Sequence, residues 1–154
     1  MAINDVTVFD KAMENVWDSG IFDFGATPNS IKVAIINNTA APVITDTDPR
    51  WSAGGTPDHS ANEETGTNFP AGGRACASAT ATLNAGTLEI DFGDPAVWSK
   101  NAGNPTACWW GIIYDDTTTN KEAYAFVDLG GLFDATTGDL TIAWGAPFHT
   151  VNQT

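Results

Sequence analysis

The stretch ACWWGIIYDDTTTNKEAYAFVDLG, residues 107–130, decides the fold. Two runs of β-branched and aromatic residues, 108–114 and 123–129, flank a polar link at residues 115–122. This pattern predicts an antiparallel hairpin. Because side chains alternate across a strand, both faces of each run are largely apolar. A hairpin with one face in water would not tolerate that composition, so the sequence predicts that this hairpin forms the core.

Shorter runs with strand character lie on both sides of the hairpin. They are residues 31–36 (IKVAII), 74–83 (RACASATATL), 87–92 (TLEIDF) and 140–144 (LTIAW). Turn residues, mainly Gly, Pro, Asn and Thr, separate them. About six short strands joined in this way predict a mainly β fold, an antiparallel β-sandwich, with a jelly-roll variant left open.

The N-terminal residues have the one helical pattern of the sequence. Apolar residues recur at the spacing of one helix face, which predicts a short amphipathic helix over residues 5–18, within an N-terminal arm of residues 1–20. Residues 37–68 are rich in Pro, Gly, Asp and Thr and predict a long loop with one helical turn near residues 59–63. A chain of 154 residues suits one domain, residues 1–154. The residues of the helix face are Val6, Phe9, Met13, Val16 and Trp17.

The charge balance excludes several kinds of partner. Nineteen acidic and six basic residues give a net charge of -13, and the basic residues are scattered singly. Nucleic acid and anionic membranes require clustered Lys or Arg, so neither is expected as a partner. No apolar run reaches the ~20 residues that span a bilayer, and the first residues lack the basic start of a secretory signal. We therefore expect synthesis in a cytoplasm, where Cys76 and Cys108 are expected to be buried free thiols, with a disulfide between them as the alternative.

No motif in the sequence indicates catalysis. The zinc, nucleotide and serine-hydrolase motifs that can be recognised by spacing do not occur, so we expect no enzyme activity, no cofactor and no metal. His59 and His149 are interpreted as ordinary loop or surface residues. Asp115 and Asp116 at the hairpin tip have the composition of a turn, although a divalent cation remains an alternative. A glycosidase would need two carboxyl groups at a fixed separation, which no pattern here locates.

Aromatic residues outside the hairpin are the best candidates for contact with a partner. Trp51 and Trp98 lie in predicted loops, where they could stack on sugar rings or anchor an interface between subunits. Tryptophan is enriched at the centres of protein interfaces, which favours the interface. Together with the helix face, they give the predicted partner-binding residues Phe9, Met13, Trp17, Trp51 and Trp98.

The order of motifs resembles a group of small virion proteins of tailed bacteriophages. The sharpest part of the resemblance is IIYDD at residues 112–116 with VDLG at 127–130, and the likeness extends over residues 6–144. The long 37–68 loop departs from that group, whose members are shorter and more regular there. The other segments that carry the resemblance are IKVAII at 31–36, GGRA at 72–75, LEIDFGDPAVW at 88–98 and LTIAW at 140–144.

The resemblance implies a structural role in a virion. The expected function is that of a capsid decoration (cement) protein on the capsid surface, which binds across junctions of the major capsid protein and stabilises the head. A homo-oligomer, with a trimer favoured, is expected from the same class. The alternative is a head- or tail-fibre adhesin that binds host-surface carbohydrate.

Overall fold

The computed structural model describes residues 6–16, 22, 30–77 and 79–152. These residues form two antiparallel sheets, one five-stranded and one three-stranded, and very little helix. The predicted mainly β, antiparallel character is confirmed. The elements in chain order are β1 (Val6–Val8), α1 (Asp10–Glu14), β2 (Ile31–Ile36), a 3₁₀ helix (His59–Asn62), β3 (Arg74–Ala75), β4 (Thr80–Asn84), β5 (Thr87–Asp91), β6 (Cys108–Asp115), β7 (Ala123–Phe133) and β8 (His149–Asn152).

The larger sheet has the strand order β1-β7-β6-β2-β3, with the predicted hairpin β6–β7 at its centre. Ile112 pairs with Phe126 and Ile113 with Ala125, and all four side chains are buried. β2 lies next to β6 and is buried at five of its six residues, which explains its nearly unbroken apolar sequence. The hairpin is therefore the core of the larger sheet, as predicted.

The smaller sheet has the order β4-β5-β8. The predicted strand at residues 74–83 is divided: β3 pairs with β2 in the larger sheet, and β4 pairs with β5 in the smaller one. Its alternation of Ala with Thr and Ser suits a strand throughout, so the pattern does not reveal that the chain changes sheets. Tyr124 of β7 connects the two sheets, because its hydroxyl lies 2.8 Å from Nδ1 of His149.

Two other element predictions were wrong in part. The N-terminal helix over residues 5–18 is not shown: Val6–Val8 form β1, paired with β7, and the α-helix among the described residues is Asp10–Glu14. Residues 5, 17 and 18 of the predicted helix lie outside the described residues. Val-Thr-Val is β-branched throughout and favours a strand where a partner edge is free. The predicted strand at residues 140–144 makes only a single bridge, Leu140 to Trp98, while the expected polar tail contains β8.

The long 37–68 segment follows the body of the fold closely. Its predicted helical turn is confirmed as the 3₁₀ helix, in which Asp58 caps the N–H of Ser60. The N–H of Glu64 donates to the carbonyl of Ile35 at 2.8 Å, and that of Trp51 donates to the carbonyl of Lys121 at 2.8 Å. These bonds fix the loop against both β2 and the hairpin link.

Candidate partner-binding surface

The hairpin tip uses its two carboxylates to hold the turn and its neighbours. Asp116 binds Nζ of Lys32 at 2.6 Å and Nζ of Lys121 at 2.9 Å. Asp115 is fully buried and accepts a hydrogen bond from the N–H of Thr117 at 2.7 Å. Within the described ranges, no group of three or more His, Cys, Asp or Glu is arranged to hold a metal ion. Turn chemistry thus accounts for both carboxylates.

Asp116→Asn is expected to lower the free energy of unfolding by about 1 kcal/mol at neutral pH. Burial raises the pKa of Asp116, but hydrogen bonds and charge from Lys32 and Lys121 outweigh it and hold the pKa below its ordinary value. A lowered carboxyl pKa gives stability that is present above the unfolded pKa and is lost as the pH falls through the folded pKa. Urea unfolding of both proteins at pH 7 and pH 3 should show the difference shrinking at the lower pH. An equal difference at both pH values would contradict the ion-pair explanation.

Both predicted loop tryptophans are buried. Trp51 is 5% exposed and stacks on Tyr114, with ring centroids 5.1 Å apart. Trp98 is 1% exposed and lies under the guanidinium of Arg74, 5.6 Å from its ring centroid. The sequence shows loop residues, but it does not show that these loops fold back over the sheet. Neither ring is presented for a sugar or for a neighbouring subunit, so the structure corrects the expectation that they are accessible.

The predicted N-terminal contact residues differ in their exposure to solvent. Phe9 is fully buried, 5.0 Å from the ring of Phe126 and 5.9 Å from the ring of His59. Met13 is partly exposed, and Trp17 lies outside the described residues. A partner interface remains a prediction for Met13, whereas Phe9 belongs to the core.

His59 is fully buried rather than a surface residue. Neither ring nitrogen has a hydrogen-bond partner among the described residues, and Nε2 lies 3.9 Å from Oδ2 of Asp46. Burial lowers the pKa of His59 to about 4, against the opposing charge of Asp58. The ring is therefore neutral at pH 7. No sequence signal distinguishes this position, because its partners Phe9 and Asp46 come from separate segments.

The structure brings together the N-terminal segment and the long 37–68 loop, which contain four of the five predicted partner-binding residues. The N–H of Asp10, at the start of α1, donates to the carbonyl of Ile44 in the long loop at 3.0 Å. Val43 and Ile44 are 51% and 45% exposed, which is unusual for adjacent apolar residues. We call residues 10–14 together with 43–47 the α1–loop surface.

A cleft of about 290 Å³ opens on the α1–loop surface. Three of its side chains are carboxylates, and the one cation, Lys11, binds Glu14 at 2.9 Å. Burial raises the pKa of Asp46, although the N–H of Val43 donates to it. The α1–loop surface combines the exposed apolar residues Val43 and Ile44 with an acidic cleft. It is suited to a partner that offers an apolar contact flanked by a Lys or Arg side chain. The residues lining the cleft are Asp10, Lys11, Glu14, Thr45, Asp46 and Thr47.

Sequence reasoning selected the two segments but missed Val43 and Ile44. The available signal was an apolar pair, PVIT at residues 42–45, inside an otherwise polar loop. Such a pair is either buried or exposed for contact, and sequence alone does not separate these outcomes.

Comparison with known proteins identifies no relative of this chain. No protein-family model, curated protein or solved structure matches it. In the described part of the chain, no helix has both the length and the apolar character to cross a membrane.

Proposed function

We propose that this chain is a virion structural protein, a capsid decoration protein that binds the major capsid protein and stabilises the phage head. The observation that carries the proposal is the α1–loop surface, where Val43 and Ile44 are exposed beside an acidic cleft. The order of sequence motifs, which resembles small virion proteins, supports the same role. The protein acts by binding and carries out no chemical reaction.

The energy of docking comes from many weak contacts. Burying Val43 and Ile44 together contributes about 1.5–3 kcal/mol, since each is already half-covered. A Lys or Arg side chain of the capsid protein enters the cleft near Asp10, Glu14 and Asp46. Because the decoration protein binds the assembled shell and not its separate subunits, each bound copy shifts the equilibrium toward the assembled head.

The proposed architecture is a β-sandwich, in which the two sheets pack on each other around one core. Residues of both sheets belong to the same buried hydrophobic cluster, including Ile90 of β5 and Ile112 of β6. This common cluster supports a layered arrangement over two separately folded sheets. The proposal also includes a location on the outer capsid surface and a homo-oligomer.

The test uses the double variant Val43→Glu, Ile44→Glu and co-sedimentation with purified heads. Two added carboxylates beside an acidic cleft repel the proposed Lys or Arg and remove the apolar contact, so affinity should fall at least about tenfold. Leu132→Glu is the matched control, because Leu132 is 60% exposed in β7, distant in sequence from both segments. Point substitution is preferable to deletion of residues 1–20, which would remove β1 and Phe9 from the fold.

Two results would overturn the proposal. One is binding to heads that the double variant leaves equal to that of Leu132→Glu. The other is co-purification of the wild-type protein with separated tails and not with heads. Binding to a glycan array by the isolated protein would instead favour the adhesin.

A further inference from the structure

β4 is the least covered strand of the described chain. All five of its residues, Thr80–Asn84, are exposed, and Leu83 is 69% exposed. It lies at the edge of the smaller sheet, with β5 as its only described strand partner. No charged residue and no proline occurs in residues 75–88. The edge therefore lacks the Lys, Pro and inward-pointing charges with which proteins normally block pairing with another chain.

The turn that joins β4 to β5 determines which backbone groups face outward. Asn84 pairs with Thr87 across the two-residue loop of Ala85 and Gly86, whose φ angles are 49° and 89°. Two positive φ values define a type I′ hairpin turn, and the residues flanking it form a hydrogen-bonded pair. Since such pairs alternate, Asn84, Thr82 and Thr80 direct their N–H and C=O groups toward β5. Ala81 and Leu83 direct theirs outward.

We infer that β4 pairs with β4 of a second copy of this chain, antiparallel and with its two-fold axis at Thr82. In that register Ala81 of one copy faces Leu83 of the other, so the outward N–H and C=O groups of both residues meet their partners. The small Ala81 side chain leaves room for Leu83, whose exposed surface becomes covered.

A second copy fits this edge better than an unrelated chain for two reasons. The strand is self-complementary about its central residue, which is what a two-fold interface requires. The protein carries a net charge of -13, so two copies repel each other, and this repulsion is smallest where they meet along an uncharged strand. β4 is uncharged, whereas the acidic residues Glu89 and Asp91 lie on the neighbouring strand β5, farther from the proposed contact between copies. This inference does not depend on the capsid proposal, since it concerns a different surface.

Disulfide trapping tests the register directly. Thr82 of one copy would lie opposite Thr82 of the other copy in a non-hydrogen-bonded pair. The two Cα atoms of such a pair are about 4.5 Å apart, which is within the range that a disulfide spans. Thr82→Cys should therefore give a cross-linked dimer on mild oxidation in a non-reducing gel. The matched control is Thr80→Cys, on the same face of the strand. Position 80 of one copy would lie opposite Asn84 of the other, so the two introduced thiols would be too far apart to react.

The native thiols do not confuse this experiment. Cys76 and Cys108 are buried and free, and burial raises the pKa of each to about 12. Few thiolates form at the pH of the reaction, so cross-linking by these residues is slow. The wild-type protein carried through the same oxidation measures that background.

Sedimentation equilibrium over a concentration series supplies the second measurement. The wild type should form dimers reversibly, and Ala81→Pro, which removes an outward N–H without breaking a bond to β5, should weaken dimerisation at least about tenfold. A wild type that stays monomeric at every concentration would overturn the inference. So would a trimer in which Thr82→Cys cross-links no more than Thr80→Cys. Ala81→Pro changes the proposed β4 pairing but leaves Val43 and Ile44 of the α1–loop surface unchanged. Measuring head binding by this variant therefore tests the proposed function separately from the proposed dimer.

Discussion

Gly73→Ala is expected to lower the free energy of unfolding by roughly 2–5 kcal/mol, a large part of the stability of a domain this size. Gly73 has a φ of 71°, in the left-handed region, where a side chain costs about 1–2 kcal/mol. A Cβ at this position would also overlap the carbonyl oxygen of Val33. That atom belongs to β2 and cannot move without disturbing the pairing with β3 and β6, so overpacking adds about 1–3 kcal/mol. Urea unfolding measures the difference.

Gly86→Ala separates the two contributions. Gly86 has a φ of 89°, but nothing lies within 4 Å of a Cβ built there. Alanine at this position therefore carries the conformational cost alone, about 1–2 kcal/mol. Equal destabilisation by Gly73→Ala and Gly86→Ala would mean that β2 yields to the added methyl group, contrary to the prediction.

Acidification from pH 6.5 to pH 4 is expected to cost about 3 kcal/mol of stability through His59 alone. The pKa of this residue is about 4 in the folded protein, below the 6.5 of the unfolded chain. The unfolded chain therefore binds more protons in this interval, and stability falls as the pH drops. Below the folded pKa the loss is complete, because both states are then protonated.

The groups around His59 shape the size of this effect. Asp46 faces Nε2 at 3.9 Å, Asp58 contributes its charge, and the ring of Phe9 stacks on the imidazole. Burial raises the pKa of Asp46 and of Glu63, so both take up protons more readily in the folded state and oppose the loss. The measured slope should thus be shallower than His59 alone would give.

His59→Phe identifies the source of the pH dependence. The ring remains available to stack on Phe9 while the titrating nitrogens are removed, so the variant should lose less stability between pH 6.5 and pH 4 than the wild type. Its stability should also rise at pH 4 relative to the wild type. Burial also lowers the pKa of His149, but this residue is only partly buried and hydrogen-bonds Tyr124, so His149→Asn should reduce the slope less than His59→Phe does. An unchanged slope in His59→Phe would show that carboxyl groups dominate acid unfolding.

Sequence patterns predicted the parts of the fold whose local signal agrees with their tertiary surroundings. The β6–β7 hairpin and β2 are apolar on both faces, and both lie inside the larger sheet. β5 alternates, with Ile90 buried between the less buried Glu89 and Asp91. Where packing between distant segments determines the secondary structure, the local pattern did not predict it. Val6–Val8 form a strand and not a helix because the edge of β7 is available for pairing.

The candidate surface shows the same division. The N-terminal segment and the long loop could be selected from their composition, but their contact through Asp10 and Ile44 depends on the path of a long loop. Trp51 and Trp98 were placed at the surface because a loop residue is usually exposed, and here the loops pack their rings inward against Tyr114 and beneath Arg74. Burial of a loop side chain depends on the fold of the whole chain, so it cannot be predicted from a short segment of the sequence.

The pairing of β2 with β6 has a consequence for synthesis of the chain. β2 leaves the ribosome before β6, and residues 37–107 must follow it before this principal partner emerges. During that interval the apolar residues of IKVAII have no sheet to join, and pairings between distant segments form slowly once the partner arrives. The nascent chain therefore passes through a period in which the apolar side chains of β2 are exposed, and we expect chaperones to bind β2 during this period.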